Sequence, residues 1–280
     1  MVLPVYNGEQ YLRQSIQSIL NQTHRNWELL LIDDCSTDST PEIIAEFRDQ
    51  DTRIKSVRNK KNKRLPGSLN TGFRMAAGEY VTWTSDDNLY KPTAFQEMAD
   101  HLDNNPDIAF IYADSDIIDE AGNTTEVVEA GDWKKLGLTD VIGGCFMYRR
   151  AIHEAVGYYD ENTYLAEDLE FELRAMVNGF KFHPMARNLY QYRDHPDSLT
   201  NTKSRQIYRI HGQVIREYFP RMPWMDATTR VRAFLQLARK AFSIRDFSAV
   251  IQFIFYAFGQ SPWLTLKTIF LYPIQRRFSE

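Results

Sequence analysis

The 280-residue chain is poor in cysteine and has no long apolar run. Its two cysteines, Cys35 and Cys145, form no metal-ligand spacing, and so few thiols favour a reducing compartment over a disulfide-linked secreted domain. No uninterrupted apolar stretch reaches the roughly 18 residues typical of a transmembrane helix. The N-terminus also lacks the basic segment and apolar core of a signal peptide. These absences predict a cytoplasmic protein.

An excess of positive charge is missing as well. The chain carries 33 Lys and Arg residues against 37 Asp and Glu residues, for a formal net charge of −4. This balance creates no overall field that attracts phosphate, so we expect no nucleic-acid partner. Hydrophobic residues make up 43% and charged residues 25%, as in an ordinary globular protein with a sizeable core. The length fits one large domain, with or without an appendage.

Short apolar runs alternate with helical patterns through the first half of the chain. Such alternation predicts an α/β fold with a mostly parallel sheet flanked by helices, whose ligands bind beyond the carboxyl ends of the strands. Helical spacing predicts helices over residues 67–77 and 92–104. The predicted strands are VLPV (2–5), WELLLID (27–33), IKSV (54–57), YVTWT (80–84) and IAFIYA (108–113).

The second half has a different pattern. VIGGCFMY (141–148) predicts a strand, and AEDLEFELRAMVNG (166–179) predicts a helix that Gly179 ends. After about Thr200 the pattern is helical throughout, with many arginines and aromatic residues. We therefore predict a main domain over residues 1–200 and a helical extension over residues 201–280. The apolar faces of these last helices suit either packing on the main domain or contact with a membrane surface, and the sequence leaves both open.

Two pairs of adjacent carboxylates follow predicted strands, Asp33-Asp34 and Asp86-Asp87. Adjacent carboxylates repel one another, so the second pair needs either solvent in a helix-capping turn or a cation. Mg²⁺ and Mn²⁺ prefer carboxylate oxygen, and Mg²⁺ typically uses one or two carboxylates together with substrate phosphates. A metal joining Asp87 to a diphosphate would remove the repulsion and leave Asp86 for a ribose hydroxyl.

Three longer stretches resemble family 2 glycosyltransferases. They are VLPVYNGEQYLRQSIQSILNQTHRNWELLLIDDCSTDST, LNTGFRMAAGEYVTWTSDDNLYKP and VGYYDENTYLAEDLEFELRAMVNG. The likeness covers roughly residues 1–200, in the family's order and approximate spacing, and several motifs together make it specific. It implies a glycosyltransferase A-type fold, a nucleotide-sugar donor bound by residues 1–200, a divalent cofactor (Mn²⁺ or Mg²⁺), and inversion at the anomeric carbon of the sugar.

The resemblance also implies roles for residues near the first two strands. Pro4, Val5 and Tyr6 match the loop beneath the nucleobase, where Tyr6 would stack on the ring. Glu9 would reach the base or the ribose, and Asp34 would accept a hydrogen bond from the uracil ring N–H. Each has a structural alternative: a tyrosine packed at a strand end, a carboxylate in the first turn of a helix, and an aspartate that begins a turn.

Further roles fall on three residues later in the chain. Arg64 lies six residues before Asn70, as does a base- or phosphate-contacting arginine in some members of the family. Asp168 matches the general base of the Glu-Asp motif, and His195 matches a histidine that touches the metal or the diphosphate. The alternatives are a solvated basic loop for Arg64, an interaction with the helix dipole for Asp168, and an ordinary loop position for His195.

The combined reading is an inverting, metal-dependent glycosyltransferase. It would move a sugar from a UDP-sugar to the hydroxyl of a glycan, a lipid-linked saccharide or a cell-envelope saccharide, in the cytoplasm or peripherally at the inner face of the membrane. Two alternatives are a nucleotide-binding protein of the same fold without catalysis and a nucleotidyltransferase. The latter is disfavoured because no glycine-rich phosphate loop with an adjacent lysine is present. The sugar, the acceptor and the linkage are not determined by the sequence.

Overall fold

The computed structural model describes residues 1–139 and 141–275. Three apolar segments near the N-terminus pair in parallel, in the order β1-β2-β3. β1 and β2 are buried along their whole length, as near-continuous apolar runs predict for strands covered on both faces. The elements of this part are β1 Val2–Val5, α1 Leu12–Leu20, β2 Leu29–Asp33, α2 Thr40–Gln50, β3 Ile54–Arg58 and α3 Arg64–Phe73.

A second sheet follows, in the order β4-β8-β6-β9-β5, and β7 pairs with the central strand β6. Its strands are β4 Tyr80–Val81, β5 Leu89–Tyr90, β6 Phe110–Ile118, β7 Thr124–Val128, β8 Phe146–Arg149 and β9 Phe182–Arg193. Its pairings are antiparallel except for the parallel pair of β6 and β9. A parallel bridge from Val2 to Trp83 places the chain that follows β4 alongside β1.

The chain divides into two compact units, Met1–Trp133 with Val141–Pro196 and Lys134–Asp140 with Asp197–Glu280. The first unit contains both sheets and the helices α4 Ala94–Asn104, α5 Ala151–Val156 and α6 Glu167–Val177. The second contains α7 Leu199–Thr202, α8 Ser204–Tyr218, α9 Ala227–Ser243, α10 Phe247–Gln260 and α11 Pro262–Gln275. Within the described residues, no helix is both long and apolar enough to cross a membrane.

The predicted α/β class and its helix-flanked sheets are confirmed, and the predicted helices correspond to α3, α4 and α6. The pairing is more mixed than β–α alternation alone predicts, because only β1 to β3 form a wholly parallel sheet. The predicted strand over residues 141–148 begins only at Phe146, and Gly143 before it has φ +66°, a left-handed conformation that ends extended pairing. Residues 276–280 of the predicted extension lie outside the described residues.

One histidine lies in the aromatic core of the first unit. The ring of His153 in α5 has its centroid 4.7 Å from that of Phe73 and 5.1 Å from that of Phe171, and its Nε2 lies 3.0 Å from the Tyr148 hydroxyl. The surrounding rings remove water from the imidazole. Burial therefore lowers the pKa of His153 from 6.5 to about 4.

This burial predicts a pH-dependent loss of stability. The unfolded chain protonates His153 at a higher pH than the folded chain does. The contribution of the buried neutral imidazole to the free energy of unfolding is therefore complete above pH 6.5 and is lost as the pH falls towards 4. We expect this contribution to reach roughly 3 kcal/mol. Urea unfolding of the wild type and of His153→Phe across this interval measures it, since the phenylalanine variant should lose less stability. Parallel curves for the two proteins would contradict the assignment.

Candidate active site

The carboxyl ends of β1 and β2 and the chain after β4 form one edge of the first sheet. Val2 N donates to the Thr82 carbonyl at 2.9 Å, and Thr84 N donates to the Val2 carbonyl at 3.2 Å, so residues 82–84 run parallel to β1. Asp34 follows β2 directly and donates its N–H to the Val5 carbonyl at 2.8 Å. The two acidic pairs therefore emerge on the side where parallel sheets bind ligands.

The loop after β1 is fastened to the loop after β2. Asn7 N donates to Ser36 Oγ at 3.0 Å, Thr37 N donates to Asn7 Oδ1 at 2.8 Å, and Gly8 N donates to Thr40 Oγ1 at 2.9 Å. Tyr6 is 52% exposed at the start of this loop. An aromatic face held in water by a fixed loop suits stacking of a planar ligand ring.

The same loop is supported by three residues with structural contacts, Pro4, Val5 and Glu9. Pro4 and Val5 are buried within β1, so they support the loop from below. Glu9 Oε2 accepts a hydrogen bond from Ser39 N at 2.9 Å, just before α2, and Glu9 N donates to Asp38 Oδ2 at 3.1 Å. The carboxylate of Glu9 therefore anchors the beginning of α2 in this structure.

Asp34 is buried and holds the loop before α3. Its Oδ1 accepts hydrogen bonds from Asn59 Nδ2 and from Lys63 N, both at 2.8 Å. Arg64 comes next, with a left-handed φ of +63°, and its guanidinium carbon lies 5.0 Å from the centre of the Tyr164 ring. Asp34 and Arg64 were predicted from the sequence, whereas Asn59, which follows β3 just as Asp34 follows β2, was not.

The two residues predicted as metal ligands are brought together. His195 Nε2 lies 3.1 Å from Asp87 Oδ2, although the two residues are 108 positions apart in the chain. The other carboxylate oxygen of Asp87 accepts a hydrogen bond from Ser85 Oγ at 2.6 Å, and Ser85 Oγ in turn accepts from Asn88 Nδ2 at 2.6 Å. Both oxygens of Asp87 are therefore oriented by neighbouring side chains.

A buried arginine supports this segment from beneath. Arg193, at the end of β9, is only 1% exposed, and its guanidinium donates to the carbonyls of Asp87, Asp119 and Glu120 and to Gln14 Oε1. Its backbone N–H also donates to Asn88 Oδ1 at 2.8 Å. Sequence reasoning missed Arg193, and the available signal was a charged residue at the end of the aromatic run LYQYR.

Asp86 is pressed against the loop of Gly8. A Cβ added to Gly8 would lie only 1.9 Å from Asp86 Oδ2, so the loop approaches the carboxylate as closely as only glycine allows. Burial first, and then the charges of Asp87 and Asp38, raise the pKa of Asp86 from 3.8 to about 7. A bound cation would favour the ionised form of Asp86.

The donor set fits a hard divalent cation with few protein ligands. Asp87 and His195 offer a carboxylate and an imidazole side by side. Mn²⁺ accepts both kinds of ligand, whereas Mg²⁺ would bind mainly through the carboxylate. Within residues 1–139 and 141–275, no cluster of three or more histidine, cysteine or acidic side chains is arranged to hold a metal. A metal here would therefore complete its coordination with ligand oxygens and water, as Mg²⁺ commonly does.

Asp168 lies in the first turn of α6. Its Oδ1 accepts a hydrogen bond from Leu169 N at 2.7 Å, and the neighbouring Glu167 is buried, with Oε2 accepting from Leu165 N at 2.6 Å. Burial and the charge of Asp168 raise the pKa of Glu167 well above 4.5. Glu167 is therefore the member of the pair whose neutral form is favoured by burial.

A hydrogen bond connects the surroundings of Asp168 with the segment that leads to Asp86. Trp83 Nε1 donates to the Tyr159 hydroxyl at 3.0 Å. The pKa of Tyr159 is raised mainly by burial, and the charge of Asp168 adds to the shift. Tyr159 N also donates to Asn70 Oδ1 at 3.0 Å, which ties this region to α3.

An α/β domain with carboxylates and an exposed aromatic ring at the carboxyl edge of its parallel strands is typical of nucleotide-binding domains. The model of the family "Glycosyl transferase family 2" matches residues 1–157. The chain belongs to this family. The predicted family and the predicted enzyme class, a glycosyltransferase, are therefore confirmed.

Curated relatives and solved structures agree with this assignment. The chain is 32% identical to "Putative glycosyltransferase EpsE" of Bacillus subtilis, over 71% of this chain and 73% of that protein. Its fold matches Staphylococcus aureus TarS in complex with UDP-GlcNAc, with a TM-score of 0.63 and 14% identity, covering 95% of this chain and 90% of that one. It also matches the mannosyltransferase PcManGT from Pyrobaculum calidifontis in complex with GDP-Man and Mn²⁺, with a TM-score of 0.59 and 16% identity, over 96% of this chain and 72% of that one.

Some matched proteins are much longer than this chain. It spans 24% of a Sinorhizobium fredii relative to which it is 30% identical, and 53% of a longer TarS structure. The predicted glycosyltransferase A-type fold is confirmed by the structural matches.

The contact of Gly8 with Asp86 generates a stability prediction. Gly8→Ala places a methyl group 1.9 Å from Asp86 Oδ2 and 2.6 Å from Val5 Cγ2, so the loop or the carboxylate must move. We expect a loss of roughly 1–3 kcal/mol in the free energy of unfolding, measured with urea. Gly259→Ala is the matched control, because an added Cβ there meets nothing within 4 Å and the residue lies in α10. Equal stability of Gly8→Ala and the wild type would contradict the close contact.

Proposed function

We propose that this protein is an inverting, metal-dependent glycosyltransferase that moves a sugar from a UDP-sugar to a hydroxyl group of a saccharide. The observation that carries the proposal is the contact of Asp87 with His195 beside the close-packed Asp86, at the ligand-binding edge of a family 2 domain. Two acids and an imidazole fixed at that edge suit a metal–diphosphate complex better than a purely structural cap.

The nucleotide would occupy the loops that follow β1 and β2. The exposed ring of Tyr6 would stack on the base, which contributes about 1–3 kcal/mol in comparable sites. Asp34 would accept a hydrogen bond from the ring N–H of uracil, since its carboxylate is already oriented by Asn59 and Lys63. The match to TarS in complex with UDP-GlcNAc supports a uridine nucleotide.

The diphosphate would lie at the carboxylate pair. Asp86 would bind a ribose hydroxyl, while Asp87 and His195 would hold Mn²⁺ or Mg²⁺, in keeping with the Mn²⁺ of the mannosyltransferase structure. Such an ion, when bound, stabilises the negative charge that develops on the departing diphosphate. Arg64 would add a positive charge near the base or the phosphates, and Glu9 would contact the ribose or base while it anchors α2.

Asp168 would accept the proton of the acceptor hydroxyl. As that oxygen forms its bond to the anomeric carbon, the bond to the diphosphate oxygen breaks on the opposite face, and UDP leaves with the electron pair. One displacement of this kind inverts the configuration of the sugar. An ionised Asp168 suits the role because its position at the start of α6 favours the charged form.

We also propose the class of the acceptor and the cellular location. A glycan, a lipid-linked saccharide or a cell-envelope saccharide supplies the hydroxyl. Residues 1–200 would carry donor binding and catalysis, and residues 201–280 would serve as a helical extension. The protein would work in the cytoplasm, in peripheral contact with the inner face of a membrane.

Replacing the general base separates binding from catalysis. Asp168→Asn keeps the shape of the side chain but removes its basicity, so we expect transfer to fall by about 10²–10⁴-fold while UDP-sugar affinity changes little. Calorimetric titration measures the affinity, and release of UDP measures transfer. Glu154→Gln, an exposed carboxyl group on α5, is the control and should retain both properties. Unchanged transfer by Asp168→Asn would remove Asp168 from the reaction.

Metal dependence of donor binding has its own test. A panel of UDP- and GDP-sugars is screened by thermal shift, with and without Mn²⁺. We expect a rise in Tm that requires both Mn²⁺ and a uridine donor, because the metal links Asp87 to the diphosphate. Asp87→Asn should lose most of this rise, whereas Asp107→Asn, an exposed control, should keep it. A donor-induced rise that is the same without metal would refute the metal site.

A further inference from the structure

Helix α10 of the second unit has two apolar faces. One face carries Ala249, Phe253 and Ala257, which are buried. Phe253 fits against Gly212 of α8, where an added Cβ would lie 2.1 Å from the Phe253 ring. The helix is thus already packed through this face. These buried residues are four positions apart and so lie on one face of the helix, and the opposite face is not buried in the same way.

The opposite face exposes large apolar side chains to water. Phe247, Ile251 and Phe255 recur every four residues and are 59%, 72% and 71% exposed. Phe242, at the end of α9, is exposed beside them, with its ring centroid 5.9 Å from that of Phe247. We call these four residues the α10 stripe. From Phe247 to Gln260 the helix contains no charged residue, so nothing on α10 itself interrupts the stripe.

Positive charge surrounds the stripe in the sequence. Residues 197–280 contain thirteen Lys and Arg against five Asp and Glu, whereas residues 1–196 contain twenty against thirty-two. The net charge is therefore +8 for residues 197–280 and −12 for residues 1–196. Arg239, Lys240 and Arg245 are exposed on the N-terminal side of α10, and Lys267 is exposed on α11. An apolar stripe flanked in the sequence by exposed basic side chains is typical of helices that lie on anionic lipid.

We propose that the α10 stripe docks onto the surface of an anionic membrane, with the surrounding lysines and arginines on the lipid headgroups. The phenylalanine and isoleucine side chains would enter the boundary between headgroups and acyl chains, and Trp263 of α11, which is 73% exposed, would enter it with them. A second copy of the chain fits less well. A symmetric contact through the stripe would bring each basic border close to its own copy, where like charges repel.

Vesicle flotation with the full chain tests the proposal. The vesicles consist of phosphatidylcholine alone or of phosphatidylcholine with phosphatidylglycerol, at low and high salt. We expect binding to the anionic vesicles that weakens with salt. The triple variant Phe247→Ser, Ile251→Ser, Phe255→Ser should bind these vesicles at least about ten-fold more weakly than the wild type. Val127→Ser, which removes an exposed apolar side chain from β7, is the matched control and should bind like the wild type.

A second readout guards against a variant that is simply misfolded. Brominated lipid should quench the fluorescence of the wild type, and Trp263→Phe should lose most of that quenching while it still floats. Circular dichroism melting checks that each variant is folded. Wild-type protein that ignores anionic vesicles, or a folded triple variant that floats like the wild type, overturns the proposal. Wild-type oligomers that the triple variant converts to monomers, without vesicle binding, assign the stripe to a second copy instead.

Discussion

The mutual repulsion of Asp86 and Asp87 is the constraint around which the rest of the site is arranged. Asp87 is held by Ser85 and His195, and the buried Arg193 fixes its carbonyl from below. Asp86 is pressed against the loop of Gly8, and its pKa is raised first by burial and then by the charges of Asp87 and Asp38. The fold thus orients two acids at high electrostatic cost, which is reasonable for a binding site and difficult to explain as a stabilising device.

Several acids that we propose as ligand contacts at this edge also have structural roles. Glu9 anchors the beginning of α2, and Asp34 orders the loop that leads to Arg64. Because these hydrogen bonds join the loops after β1, β2 and β3, removing one carboxylate would disturb both the loop and any ligand. Loss of activity in such variants is therefore weak support for ligand contact when taken alone.

The two units differ in how they bury apolar side chains and in their charge. In the first, helices and sheets bury nearly continuous apolar strands, and the acidic pairs lie at one edge of the parallel sheet. In the second, α10 buries one apolar face and exposes another, within a segment of opposite net charge. This separation of charge along the chain is consistent with the two partners that we propose: a metal-bound diphosphate for the acidic edge and an anionic surface for the basic helices.

Much of this protein follows from its sequence alone. Apolar periodicity reports local burial, so it predicted β1, β2, α4 and α6, and motif order identified the family. The tertiary structure decided which distant groups meet. Only the pairing of β5 with β9 and the fold of the loop after β9 bring His195 to Asp87, and only the path after β1 presses Gly8 on Asp86. Such contacts depend on strand order and loop closure across the whole chain, which no local pattern encodes.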